Sequence, residues 1–160
     1  MNAAMKIRWW VIFNALLAGL MVAVSKDAFV FLNHADATKI SFITLGVFGI
    51  ITSFIGYLTL ANGYDGRDIA QDKRYINACW FASEMLMGLG LIGTVIGIIL
   101  MFSGTVGGLD PGNVNAMKAA ILSMASGLTT AFVTTLVGIT TSLLVKLQLI
   151  NYEVNQADDE

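Results

Sequence analysis

The chain has 160 residues, of which 56% are hydrophobic and 12% are charged, and its formal net charge at pH 7 is −2. This charged fraction is about half of that usual in soluble domains, so the composition excludes an ordinary soluble protein and predicts one all-α membrane domain over residues 1–160. One histidine, one cysteine and nine scattered basic residues argue against a disulfide, a clustered metal or acid–base site and a nucleic-acid site. We expect no enzymatic activity, cofactor or metal.

The first two predicted elements are membrane-spanning helices at residues 9–32 and 40–61. About twenty apolar residues cross the hydrocarbon core of a bilayer, and the second segment reaches this length without a charged residue. The first segment is interrupted by Asn14 and by the pair Lys26 and Asp27. Because two basic residues precede its short apolar run, a signal peptide is the alternative interpretation of this segment.

The third and fourth predicted spans cover residues 78–102 and 119–150. A connector rich in glycine, with the only proline of the chain, separates them and predicts a turn. The fourth segment has no charge between Ala119 and Val145. A helix over these residues is about 40 Å long at 1.5 Å per residue. We therefore expect this helix to tilt or to project beyond the bilayer.

The distribution of lysine and arginine predicts the orientation of the four spans. With both termini in the cytoplasm, six basic residues lie on the inner side and three lie in outer loops, which agrees with the positive-inside rule. The inner residues are Lys6, Arg8, Arg67, Lys73, Arg74 and Lys146, and the outer residues are Lys26, Lys39 and Lys118.

A polar, glycine-dense patch interrupts the third span. The sequence GLGLIGTVIGI runs from Gly88 to Ile98 inside a stretch without charge. Lipid offers no water to a hydroxyl, so Thr94 and the glycines around it must face other helices or a pore. Small residues spaced four apart also allow helices to approach closely. The glycines expected at such contacts are Gly90, Gly93 and Gly97.

The fourth span carries many hydroxyl groups. At about 100° per residue, the residues Ser123, Ser126, Thr130, Thr134 and Thr141 share one face, and Thr135 lies roughly a quarter turn away. Two interpretations remain open: helix packing through serine and threonine, and a hydrated path for ions. No titratable residue lies at mid-membrane. Glu84 lies near the inner interface, directly before the uncharged part of the third span that begins at Met85, and is interpreted either as an interfacial charge or as a pore-mouth residue that concentrates cations.

Two motifs on consecutive spans resemble those of a known family. GLGLIGTVIGIILMF, from Gly88 to Phe102, and AFVTTLVGI, from Ala131 to Ile139, resemble the two core helices of the MotA/TolQ/ExbB proton-channel family. The resemblance implies a pentameric ring in the bacterial inner membrane around a channel. That channel holds two copies of a small single-span partner of the ExbD, TolR or MotB type with an intramembrane Asp.

The resemblance also implies roles for individual residues. Thr94 and Thr135 match the threonines of the two motifs and would line the pore, where their hydroxyls could bond to the partner's Asp or position water. Thr130 and Thr134 are the further pore-lining candidates, and Gly138 joins the three glycines of the third span as a helix-packing residue. The implied function is a proton-channel subunit that couples ion flow to work through the partner.

The chain also departs from the family pattern. Thr130 stands where ExbB-like members have an acidic residue, and the proline expected near Leu144 is missing. The inner loop at 62–77 is too short for the cytoplasmic domain by which flagellar stators engage a rotor, which argues against a flagellar role. The alternative hypothesis is a pore-forming or scaffold membrane protein, holin-like, without an energising role.

Overall fold

The computed structural model describes residues 29–62, 69–106 and 112–157, and the regular elements within these ranges are α-helices. Helix α1 covers residues 29–35 of the described part. It is followed by α2 at Ile40–Asn62, α3 at Ile69–Val106 and α4 at Val114–Ala157. The fold is therefore all-α, and α2, α3 and α4 are long and apolar enough to cross a membrane. The first predicted span, 9–32, lies mainly outside the described residues.

Helices α3 and α4 form a long antiparallel hairpin, and α2 packs against both of them. The start of α2 lies beside the middle of α4, whereas its end packs with the start of α3 and the last part of α4. Helices α2 and α4 consequently run in parallel, antiparallel to α3. The helices α3, with 38 residues, and α4, with 44 residues, are both longer than the 23-residue α2, so the hairpin extends beyond α2 at the connector that joins α3 to α4.

The hydrophobic core lies where the three helices converge near the end of α2. Apolar side chains from each helix meet there and are shielded from the surroundings. Where the bundle faces water, this burial stabilises the association of the helices through the hydrophobic effect. Where the bundle faces lipid, the helices are stabilised by close dispersion contacts. The buried members are Phe48, Ile51, Ile55 and Leu58 of α2, Ile76, Cys79 and Leu86 of α3, and Val145, Leu149 and Tyr152 of α4.

The turn between α1 and α2 is organised by one buried carboxylate. Asp36 is 0% exposed and accepts hydrogen bonds from the backbone N–H of Thr38 at 2.9 Å, the Thr38 hydroxyl at 2.6 Å and the backbone N–H of Ser41 at 2.7 Å. These bonds satisfy donors at the start of α2 that have no partner within the helix. Lys39, with a positive φ of 60°, reverses the chain between the two helices.

The same turn is anchored on α4. The Thr130 hydroxyl donates to the Ala35 carbonyl at 2.9 Å and accepts from the Ala37 N–H at 3.4 Å. At the other end of the bundle, Trp80 of α3 donates its indole N–H to the Glu153 carboxylate of α4 at 2.8 Å. We refer to these two levels as the turn end and the tryptophan end. The α4 segment between them is about 34 Å long at 1.5 Å per residue, close to the roughly 30 Å of a hydrocarbon core.

Candidate functional site: a threonine pair between two helices

Thr94 of α3 and Thr135 of α4 meet between the two long helices. Their hydroxyls are hydrogen-bonded to each other, and both side chains are half-buried. Thr135 Oγ1 also lies 2.9 Å from the Ala131 carbonyl, whereas Thr94 Oγ1 lies 3.1 Å from the Gly90 carbonyl and 3.4 Å from that of Ala131. Each hydroxyl has one proton and two lone pairs, so the pair keeps acceptor capacity for a further donor.

Glycines bring the two helices into backbone contact on either side of this pair. A Cβ added at Gly97 would lie 2.6 Å from the Ala131 nitrogen, and one added at Gly138 would lie 2.7 Å from Gly90 Cα. At Gly93 an added Cβ would lie 2.5 Å from the Thr134 side chain. Any larger residue at these positions would force the helices apart. The predicted packing glycines thus lie at the closest approaches of α3 and α4.

The surface around the pair is apolar. At about 100° per residue, the exposed side chains that lie within two turns of the pair and within roughly 60° of Thr94 or Thr135 on their helices are hydrophobic. They include Leu91 and Ile98 of α3 and Leu128 and Ile139 of α4. We call this surface, with the two threonines at its centre, the threonine face. It presents two hydroxyls to whatever covers it, and otherwise only hydrocarbon.

Thr130 and Thr134, the other predicted pore-lining residues, do not lie on this face. They are 0% and 1% exposed, inside the subunit. Thr130 bonds to the α1–α2 turn, and the Thr134 hydroxyl is bonded to the carbonyls of Thr130 and Ala131 at 2.9 and 3.1 Å. Both are thus corrected from channel-lining residues to packing residues within one chain.

Glu84 lies apart from the threonine pair, toward the tryptophan end. Its side chain is exposed on α3, about 15 Å from Thr94 along the helix axis. The part of the chain that the structure describes provides it with neither an ion pair nor a hydrogen bond. The structure thus leaves both interpretations of this residue open, as an interfacial charge or as a residue at a pore mouth.

Sequence reasoning missed Asp36 and its link to Thr130. The local pattern of an aspartate two residues before Thr38, at the start of an apolar helix, is typical of an N-terminal cap and could have indicated the turn. Burial raises the pKa of the Asp36 carboxyl, but the hydrogen bonds from Thr38 and Ser41 outweigh burial, so the pKa lies below its ordinary value of 3.8. Asp36 is therefore a charged, fully bonded structural group at neutral pH.

Comparison with protein families matches residues 66–160 to the model of the MotA/TolQ/ExbB proton channel family. The chain belongs to this family. The matched region contains all of α3 and all of α4, and therefore both threonines of the pair. No curated protein and no solved structure matches the chain. The resemblance noted in the two motifs is confirmed, and with it the assignment to a membrane protein family of proton channels.

Proposed function

We propose that this chain is the channel subunit of an ion-driven complex in the bacterial inner membrane. Copies of the chain form a pentameric ring with both termini in the cytoplasm, and the threonine face of each copy points toward the central axis. The single observation that carries this proposal is the hydrogen-bonded pair Thr94 and Thr135. Each of its members comes from one of the two family motifs, and both reach the same half-buried position.

The chemistry of the pair defines what it can contribute. Threonine hydroxyls can donate to a carboxylate or order a water molecule, but they do not titrate near neutral pH. On α3 no titratable side chain lies between Glu84 and the end of the helix, and on α4 none lies between Lys118 and Lys146. A proton passing this level consequently needs a titratable group from another chain.

The group that fits is a carboxylate on a single-span partner. An Asp on such a helix, placed on the axis of the ring, would be surrounded by the Thr94 and Thr135 hydroxyls of several copies. A Thr94 or Thr135 hydroxyl that turns its proton from a carbonyl of its own helix to the carboxylate stabilises the charged form. The free lone pairs of the pair and the apolar remainder of the threonine face favour the protonated form. Alternation between these states would couple ion flow to movement of the partner within the ring.

A pore-forming or scaffold protein without a partner is the second candidate function. The same lack of a titratable group at the level of the pair favours it, because such a protein needs no proton carrier. This function predicts that the chain assembles alone and that its expression by itself depolarises the membrane.

The test compares two threonine substitutions on α4 in cells that contain the complete complex. Thr135→Val removes a hydroxyl of the pair, while Thr129→Val is the matched control, because the Thr129 hydroxyl bonds only to the Ala125 carbonyl of its own helix at 2.8 Å. We expect Thr135→Val to abolish most of the proton flux with the oligomer intact, and Thr129→Val to leave it unchanged. Equal flux in both variants would contradict the channel assignment.

A further inference from the structure

Each of the two long helices carries one isolated charge within its membrane-spanning segment. Glu84 is the only charged residue of α3 after Arg74, and Lys146 is the only one of α4 between Lys118 and Glu153. The segments identified as long and apolar enough to span, Arg74–Ser103 and Val114–Glu153, contain both residues well inside their ends. The two charges have opposite signs.

The register of the hairpin puts these charges at the same level. The Gly90–Gly138 approach and the Trp80–Glu153 hydrogen bond fix which residues of α3 and α4 lie side by side. Measured from the Gly90–Gly138 contact, Glu84 lies about 9 Å and Lys146 about 12 Å toward the tryptophan end at 1.5 Å per residue. The two side chains therefore originate within a few ångströms of each other along the axis of the α3–α4 hairpin.

Their directions prevent them from pairing within one chain. At about 100° per residue, Glu84 lies roughly 120–180° around α3 from Gly90, Gly93 and Gly97, which contact α4. Lys146 lies only about 20° from the direction of Thr135 and three turns further along α4, beyond the threonine face. Glu84 is exposed, Lys146 is half-buried, and neither has an ion pair or a hydrogen bond among the described residues.

A lone charge on a membrane-spanning helix is costly wherever it lies within the hydrocarbon, unless it is paired or hydrated. Lysine can extend its ammonium group toward the interface, but the shorter glutamate side chain reaches less far. A second copy of the same chain offers the complementary charge at the matching level. In a ring that alternates α3 and α4, the surface of α3 that carries Glu84 faces the α4 of the neighbouring copy.

We propose that Glu84 of one copy forms an ion pair with Lys146 of the adjacent copy, so that the pairs close the subunit boundaries at the tryptophan end of the ring. The inference rests on the proposed assembly and deepens it, because it names the residues that hold neighbouring copies in register. It also assigns Glu84 to subunit contact, in place of an unpaired charge at the pore mouth.

The first test is disulfide formation between two tagged versions of the full chain in membranes. Both carry Cys79→Ala, since Cys79 is the only native cysteine, and one carries Glu84→Cys while the other carries Lys146→Cys. We expect a disulfide-linked heterodimer on mild oxidation. The matched control replaces Glu84→Cys with Met85→Cys, an exposed position that points about 100° away, and is expected to give none. Absence of the heterodimer, or equal yields for both pairs, would overturn the proposal.

A second test uses charge exchange and does not depend on cysteine chemistry. Glu84→Lys and Lys146→Glu alone should each reduce the assembled fraction by at least about tenfold, since unpaired and like charges then meet at low dielectric. The double exchange should restore assembly. If the double variant is no better than the single variants, the ion pair is wrong. If the wild-type ring is intact and only the charge exchange fails, the ion pair is wrong and the proposed threonine channel is unaffected. Loss of flux with normal assembly in Thr135→Val supports the channel independently of the ion pair.

Discussion

Gly90 and Gly138 meet backbone to backbone, and a Cβ added at Gly138 would lie 2.7 Å from Gly90 Cα and 2.9 Å from the Leu86 carbonyl oxygen. The atoms in the way belong to the main chain, so no side-chain rotation can relieve the overlap. This contact and its neighbours set the register in which Thr94 reaches Thr135. The geometry of the candidate site therefore depends on residues that have no side chain.

Gly138→Ala should destabilise the α3–α4 hairpin by roughly 1–3 kcal/mol, the usual cost of inserting a methyl group into a fully packed contact. Gly88→Ala is the matched control, because nothing lies within 4 Å of a Cβ at that position, and alanine in a helix is favoured over glycine by up to about 1 kcal/mol. Unfolding in detergent followed by circular dichroism measures both. Equal stability of the two variants would contradict the close contact.

Thr130→Val should loosen the α1–α2 turn. Valine has the same shape, but it cannot donate to the Ala35 carbonyl or accept from the Ala37 N–H, which leaves buried polar groups without partners at a cost of about 1–3 kcal/mol. Thr134→Val should cost less, since the Thr134 hydroxyl bonds only to carbonyls of its own helix. Limited proteolysis at the turn distinguishes them: faster cleavage in Thr130→Val alone is expected, and identical cleavage would show that the anchor is absent.

Acidification should destabilise the turn between α1 and α2, but only at low pH. The pKa of Asp36 is lower in the folded chain than its ordinary value of 3.8, so the carboxylate contributes stability that is present above about pH 4 and is lost as the pH falls through the folded-state pKa. Asp36→Asn should weaken the turn at neutral pH and remove this acid transition. Thermal stability measured from pH 7 to pH 3 tests whether folding lowers the pKa of Asp36. A loss of stability in the wild-type chain that is already complete at pH 5 would contradict this direction.

At the tryptophan end, an uncharged oxygen acceptor should be able to replace the Glu153 carboxylate as the partner of the Trp80 indole N–H. Glu153→Gln keeps an oxygen acceptor for the Trp80 N–H, whereas Glu153→Leu removes it. Because the contact is exposed, we expect less than about 1 kcal/mol between the two variants. A tryptophan-fluorescence comparison in a chain with Trp9→Phe and Trp10→Phe reports on Trp80 alone. A spectrum of Glu153→Gln that matches Glu153→Leu, and differs from the parent, would exclude the hydrogen bond.

Much of the arrangement was accessible from the sequence because the responsible signals are local. Apolar length predicts helices at α2, α3 and α4, and the spacing of Gly90, Gly93 and Gly97 predicts a face that another helix approaches closely. The motifs singled out Thr94 and Thr135, which the structure brings together across the hairpin.

The position of Thr130 could not be predicted, because it depends on a contact with Ala35 that is distant in sequence. A helical wheel groups Thr130 with Thr134 but does not say which neighbour the group faces. Packing within one chain, between chains and around a channel all produce the same stripe of hydroxyls. Only the register of α2 on α4 separates these possibilities, and that register arises from the folded turn around Asp36.

The most direct measurement is native mass spectrometry of the complex purified gently from its own host. We expect five copies of this chain with two copies of a small single-span protein that has an Asp within its membrane helix. A ring without such a partner would contradict the energising role and favour the pore or scaffold function. A monomer or dimer would contradict the channel assembly itself.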